Sequence, residues 1–100
     1  MDDVAITDVL AALGDPTRLR IVGVLADGEE HLRPDFDVSV GQSTLSHHMK
    51  ILRDAGVAFS RPEGTRCFVS LRPELEQRYP GLITAVLAAA DHDVAPTAGV

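Results

Sequence analysis

Apolar positions recur along the first half of the chain with the spacing of a helix. Ile6, Val9, Leu10 and Leu13 fall at i, i+3, i+4 and i+7, one stripe of an amphipathic helix that Gly14 ends. Asp15-Pro16 restarts a helix. The carboxylate can accept from free first-turn amides, and proline suits a first position that needs no donor. Leu19, Val22 and Leu25 form the next stripe, and Gly28 can take the left-handed conformation that closes a helix. Between Glu29 and Gly41 acids alternate with Phe36 and Val38 around Pro34, which predicts a loop with at most one helical turn. From Gln42 or Ser43 the stripe returns and predicts a helix to about Asp54, ended by Gly56. Leu45, Met49 and Leu52 point inward on it, with His48 and Ala55 at the edge.

The pattern then shortens. Val57–Arg61 and Arg66–Leu71 are β-prone runs around Pro62-Glu63-Gly64-Thr65, which predicts a hairpin. Pro73 opens a short helical turn over 73–79, and Pro80-Gly81 interrupts it. A helix from about 80 to 90 follows, with Leu82, Ile83, Val86, Leu87 and Ala90 on its apolar side. Three helices, a hairpin and a terminal helix make a winged helix-turn-helix, mainly α with one small β-hairpin. The expected domain covers 1–92, and 93–100 should be a flexible tail.

Length and composition narrow the class. One hundred residues, 45% of them hydrophobic, support one small core and leave no room for a second. Aromatics are only 4%, so Leu, Val, Ile and Ala must build it. No apolar run approaches the roughly 20 residues of a membrane span. Met1-Asp2-Asp3 is acidic where a secretory signal is basic, so a soluble, cytoplasmic protein with no membrane partner is expected. Cys67 is the single cysteine, which excludes an internal disulfide framework and a zinc site of several thiolates.

The net charge of −6 is unevenly spread. Residues 1–41 carry nine acids and three arginines, and 73–100 carry four acids and one arginine. Residues 42–72 hold Lys50, Arg53, Arg61, Arg66 and Arg72 against Asp54 and Glu63, so the middle third is basic. A local positive patch attracts phosphate whatever the average. On a helical wheel Ser43, Ser46, His47 and Lys50 fall opposite the inward residues. Short hydrogen-bonding groups and a cation suit a helix that sits against base edges, and Gln42 can read adenine through its amide. An ordinary solvated face is the competing account. Arg61 and Arg66 flank the hairpin tip, as a wing along the DNA backbone requires, or else form a solvated turn that Glu63 partly neutralises.

Three segments carry a resemblance. They are Leu13-Gly14-Asp15-Pro16-Thr17-Arg18-Leu19-Arg20-Ile21, the run Ser43-Thr44-Leu45-Ser46-His47-His48-Met49-Lys50-Ile51-Leu52-Arg53-Asp54-Ala55-Gly56-Val57, and Arg61-Pro62-Glu63-Gly64-Thr65-Arg66. In order and spacing over roughly residues 5–90 the chain resembles the ArsR family of bacterial winged-helix transcription regulators. The resemblance implies a homodimer joined by its first and last helices, with Ile6, Val9 and Leu10 of one copy against Leu82, Ile83, Val86 and Leu87 of the other. It implies that the helix at 43–54 enters the major groove of an inverted-repeat operator. Gln42, Ser43, Thr44, Ser46, His47 and Lys50 would then contact DNA, joined by Arg61, Thr65 and Arg66 on the wing. The implied output is regulation of transcription, most often repression relieved by a ligand.

Two departures bear on that ligand. Where the family often carries a paired-cysteine metal site, Glu30–Gly41 has no cysteine and has Pro34 instead. At the last helix, where relatives hold zinc or nickel with Asp/His pairs, this chain offers Asp91-His92-Asp93 without a second His three or four residues away. Those residues and His31, near Asp35 and Asp37, are candidates for nickel or zinc, against the simpler account of solvated acidic segments. No cofactor is required. Ser46, His47 and His48 cannot form a catalytic relay, because neighbouring helix residues diverge by about 100°. His48 reads better as a hydrogen-bonded core histidine, and Cys67 as a small strand hydrophobe. With no phosphate loop or paired-carboxylate site, an enzyme is not expected. The competing class is a winged-helix module that binds protein rather than duplex DNA, which the overall acidity favours.

Overall fold

The computed structural model describes the backbone of residues 4–32, 36 and 38–94, and side chains as far as Asp91. Helix α1 spans Ile6–Leu13, α2 Pro16–Leu25 and α3 Gln42–Asp54. Strands β1, Ala58–Glu63, and β2, Arg66–Leu71, follow, then α4, Pro73–Arg78, and α5, Leu82–Val94.

The helix boundaries follow local chemistry. Asp15 caps α2 by accepting from the Thr17 and Arg18 amides at 2.9 and 3.1 Å, with Pro16 at the first position. Val9, Leu13, Val22, Leu25, Leu45, Met49 and Leu52 are buried as their stripes predict. Ile21 is fully buried and Leu19 only partly, so α2 is rolled slightly from its expected face.

The stretch after α2 follows expectation, and the last helix departs from it. The described residues between Glu30 and Gly41 form no α-helix, but Phe36 sits in a 3-10 turn and is fully buried in the core. One aromatic anchor thus holds this stretch where no periodic stripe exists. The last helix runs to Val94 rather than 90, so Asp91, His92 and Asp93 lie on helical backbone and the expected boundary at 92 falls inside α5. Residues 95–100 of the expected tail lie outside the described residues, as do Asp2, Asp3, Asp35 and Asp37.

The hairpin is tighter than its sequence suggests. Pro62 and Glu63 pair with Cys67 and Arg66, leaving Gly64-Thr65 as a two-residue turn with Gly64 at φ +64°. His31 and Val69 exchange two backbone hydrogen bonds of 2.8 Å, an isolated antiparallel bridge that ties the segment after α2 to β2 beside the two-stranded sheet. Residues directly opposite in an antiparallel pair share a face. Ala58 and Val69 turn into the core, while Phe59, Arg61, Phe68, Arg66 and Glu63 line the other side.

Two contacts tie the ends of the chain to this frame. Gly56, at φ +84°, ends the turn after α3, and a Cβ there would meet Val4 Cγ2 at 2.8 Å. The Tyr79 hydroxyl, just before α5, donates to the Val4 carbonyl at 2.7 Å.

Candidate nucleic-acid interface

Helix α3 is anchored by Leu45, Met49 and Leu52, and that anchoring fixes what it presents outward. Gln42, Ser43, Thr44, Ser46, His47 and Lys50 are all exposed on it. No side chain caps its N-terminus, so the first-turn amides stay open to a phosphate oxygen. Lys50 Nζ lies 2.7 Å from Asp54 Oδ2 with both groups well exposed. Such a surface i,i+4 pair is worth about 0.3–0.5 kcal/mol and yields easily to a phosphate.

The wing divides its two arginines. Arg61 donates through Nε and Nη2 to the Glu30 carboxylate at 2.7 and 2.9 Å, and through Nη1 to Glu63 at 3.0 Å. The hydrogen bonds to Glu30 and then Glu63 raise the Arg61 pKa, and the Arg61 contact holds Glu30 below the ordinary carboxylate range. Arg61, expected along the DNA backbone, is therefore committed to two carboxylates within its own chain. Arg66 is exposed near the tip and, like Arg61, lies over the Phe68 ring, at 5.5 and 4.8 Å. It has no acidic partner among the described residues, and Thr65 beside it is exposed. The two-carboxylate clamp escaped sequence reasoning because Glu30 is 31 residues from Arg61 and sits in a stretch without pattern. Only Glu63, two residues away, was legible.

Behind the exposed face of α3 lies a second unexpected link. Arg18 Nη1 reaches His48 Nδ1 at 3.0 Å, and Arg18 Nε donates to the Ala12 carbonyl at 2.5 Å. His48 is the hydrogen-bonded inner histidine its position predicts, but Arg18 carries no periodic signal. Its only cue is its place three residues after the Asp15 cap.

The remaining candidates separate. His31 Nε2 pairs with Asp27 at 2.9 and 3.0 Å, which supplies it with a structural partner other than Asp35 or Asp37. The Glu29 amide and then His31 lower the Asp27 pKa. Among the described residues no group of three or more His, Cys, Asp or Glu is placed to hold a metal ion. The side chains of His92 and Asp93 lie outside the described residues. Cys67 is exposed on β2. No helix among the described residues is long and apolar enough to cross a membrane.

Residues 13–58 match the family model described as a helix-turn-helix domain. An uncharacterised helix-turn-helix-type transcriptional regulator of Bacillus subtilis is 33% identical over 86 residues, which cover 82% of this chain and 86% of that protein. The arsenical resistance operon repressor of Staphylococcus xylosus is 38% identical over 72 residues, covering 69% and 67%. The chain belongs to the ArsR family.

Its fold agrees with other ArsR proteins of known structure. The homodimeric winged helix-turn-helix DNA-binding domain of a possible ArsR-family regulator from Mycobacterium bovis superimposes with a TM-score of 0.68 at 27% identity. That match covers 89% of this chain and 81% of the other. The protein is thus an ArsR-type, DNA-binding transcriptional regulator.

Proposed function

We propose that this ArsR protein works as a homodimeric repressor in the cytoplasm, on an inverted-repeat operator, and has no catalytic role. The observation that carries the reading is the outer face of α3, where Gln42, Ser43, Thr44, Ser46, His47 and Lys50 are all exposed. Ser46 and His47 read base edges, Lys50 and the first-turn amides take phosphates, and Arg66 with Thr65 lays the wing on the backbone. Arg61 holds the wing in shape.

Dimerisation is supported by apolar surface at both ends of the chain. Ile6 and Leu10 on α1 are 37% and 48% exposed, and Leu82, Val86 and Leu87 on α5 are only partly covered. Val9 and Ile83 leave the expected interface set, because both are already buried in the chain's own core. A two-fold axis through α1 and α5 would set two α3 helices about one DNA turn apart. No cofactor is required for this binding. If a metal acts as effector, this reading expects nickel or zinc through Asp91, His92 and Asp93, and His92→Ala should blunt the response.

Binding to duplex from the protein's own promoter at two salt concentrations tests the assignment. Affinity should fall steeply with salt. Ser46→Ala and His47→Ala should each relax sequence preference by about 1–3 kcal/mol. No duplex binding at either salt would leave a protein-interaction module instead.

A further inference from the structure

Beside the base of the hairpin lies a pocket of about 380 Å³, lined by Glu30, Phe59, Ser70, Arg72 and Glu74 among others. Its size falls within the roughly 300–1,000 Å³ of small-molecule sites. None of its residues lies on α3 or at the hairpin tip, so the DNA-facing surface does not account for it.

Two side chains in it are incompletely used. Phe59 is 51% exposed, the most exposed of the large hydrophobic side chains among the described residues. The Arg72 side chain is only 16% exposed, yet its one hydrogen bond among the described residues runs from Nε to Glu74 Oε1 at 3.4 Å. A guanidinium carries five donors in a planar fork, so both terminal nitrogens lack an acceptor among the described residues. They are not sealed off, since Ser60 Oγ is the single fully buried and unpartnered side-chain polar atom among the described residues. The backbone of Arg72 is fixed as well, its amide donating to the Val57 carbonyl and its carbonyl accepting from the Leu75 amide, each at 3.0 Å.

Arg72 is the one cation in the pocket lining, and its fork offers only donors. Glu30, the carboxylate on the hairpin side, is turned to Arg61 through two hydrogen bonds, although it shares that guanidinium with Glu63. Glu74 is half-exposed and engages only Nε, leaving the outer edge of the fork open. Ser70 sits directly opposite Phe59 in the strand register and adds a hydroxyl beside the ring.

We propose that this pocket binds a small organic monocarboxylate with an apolar body. The terminal nitrogens of Arg72 receive the carboxylate through two parallel hydrogen bonds, the geometry a guanidinium fork matches best. The apolar body covers Phe59. The site is independent of the DNA-binding reading, and free protein is enough to test it.

The experiment is a titration of the ¹⁵N-labelled full chain with benzoate, phenylacetate and hexanoate, followed by amide chemical shifts. Benzyl alcohol and benzylamine serve as neutral and cationic comparisons. Saturable shifts at Gly28, Phe59, Ser70 and Glu74 are expected with at least one of the acids and with neither comparison compound. Arg72→Gln should weaken that acid about tenfold or more, as expected for loss of a charged hydrogen-bonding partner. Phe59→Ala removes an exposed side chain, so it should fold normally and still weaken the acid. The proposal is overturned if none of the three acids saturates, if benzylamine or benzyl alcohol binds as tightly, or if folded Phe59→Ala binds the acid unchanged.

Discussion

The Arg18 guanidinium lies 3.0 Å from His48 Nδ1, joining the start of α2 to the middle of α3. Arginine only donates, so Nδ1 must accept and the ring proton of a neutral His48 sits on Nε2. Because Arg18 also holds the Ala12 carbonyl at the end of α1, one side chain fastens α1, α2 and α3 together. Arg18→Ala should cost about 2–3 kcal/mol, from loss of hydrogen bonds made by a charged group. In a double-mutant cycle with His48→Ala, urea denaturation should report a coupling of about 1–2 kcal/mol. Strict additivity would mean the pair is incidental.

The Asp15 cap gives a pH dependence. Partial burial raises its pKa, but the Arg18 amide, the Arg18 charge, the nearby His48 and the Thr17 amide together lower it below the ordinary value. A depressed carboxylate stabilises the fold fully above its unfolded value, near 3.9. That stabilisation is lost as pH falls through the lower, folded value. Asp15→Ala should destabilise by about 1 kcal/mol at neutral pH. The difference from the parent should shrink on acidification below about pH 4, measurable by thermal melts across that range.

The division of labour on the wing predicts different outcomes for its two arginines. Arg66→Ala should weaken binding to all sequences and reduce the slope of log affinity against log salt by about 1. Arg61→Ala should leave that slope nearly unchanged and instead loosen the hairpin, seen as faster exchange of β1 and β2 amides. Equal slopes for Arg66→Ala and the parent would remove Arg66 from the phosphate contacts.

Gly56 is a tight point of the frame. Alanine there must adopt φ near +84° and press a methyl against Val4. The backbone term is about 1–2 kcal/mol and overpacking adds about 1–3 kcal/mol. Adding Val4→Ala to Gly56→Ala should relieve the contact but not the backbone strain, so denaturation should show only partial rescue.

Leu10→Glu offers the cleanest test of the dimer face. The side chain is 48% exposed, so the charge leaves the single-chain core intact. Sedimentation should show a folded monomer, and operator affinity should fall with it. A variant that remained dimeric would move the interface off α1.

The helical frame was legible because its signals are local. Asp15-Pro16, Gly56 and the stripe Leu45, Met49, Leu52 each act within a few residues, and the structure follows them. The outward set on α3 follows from the same periodicity. What could not be read depends on residues far apart in the chain. Glu30 meets Arg61, Arg18 meets His48, and Phe36 fills the core from a stretch with no repeat. Val9 and Ile83 failed as interface residues for a related reason. A stripe shows which residues turn from water, but not whether the chain's own core or a second copy covers them.

The hydrogen bond from Tyr79 to Val4 spans 75 positions of the chain. Bringing such distant points together costs about 4 kcal/mol of loop-closure entropy, so this contact belongs to the late stage of folding. A nascent chain can form the α1–α2 pair and the hairpin while its last helix is still on the ribosome. It cannot complete the apolar surface shared by α1 and α5, which the proposed dimer would use. Under the proposed pairing through α1 and α5, association of two copies therefore waits until α5 has docked.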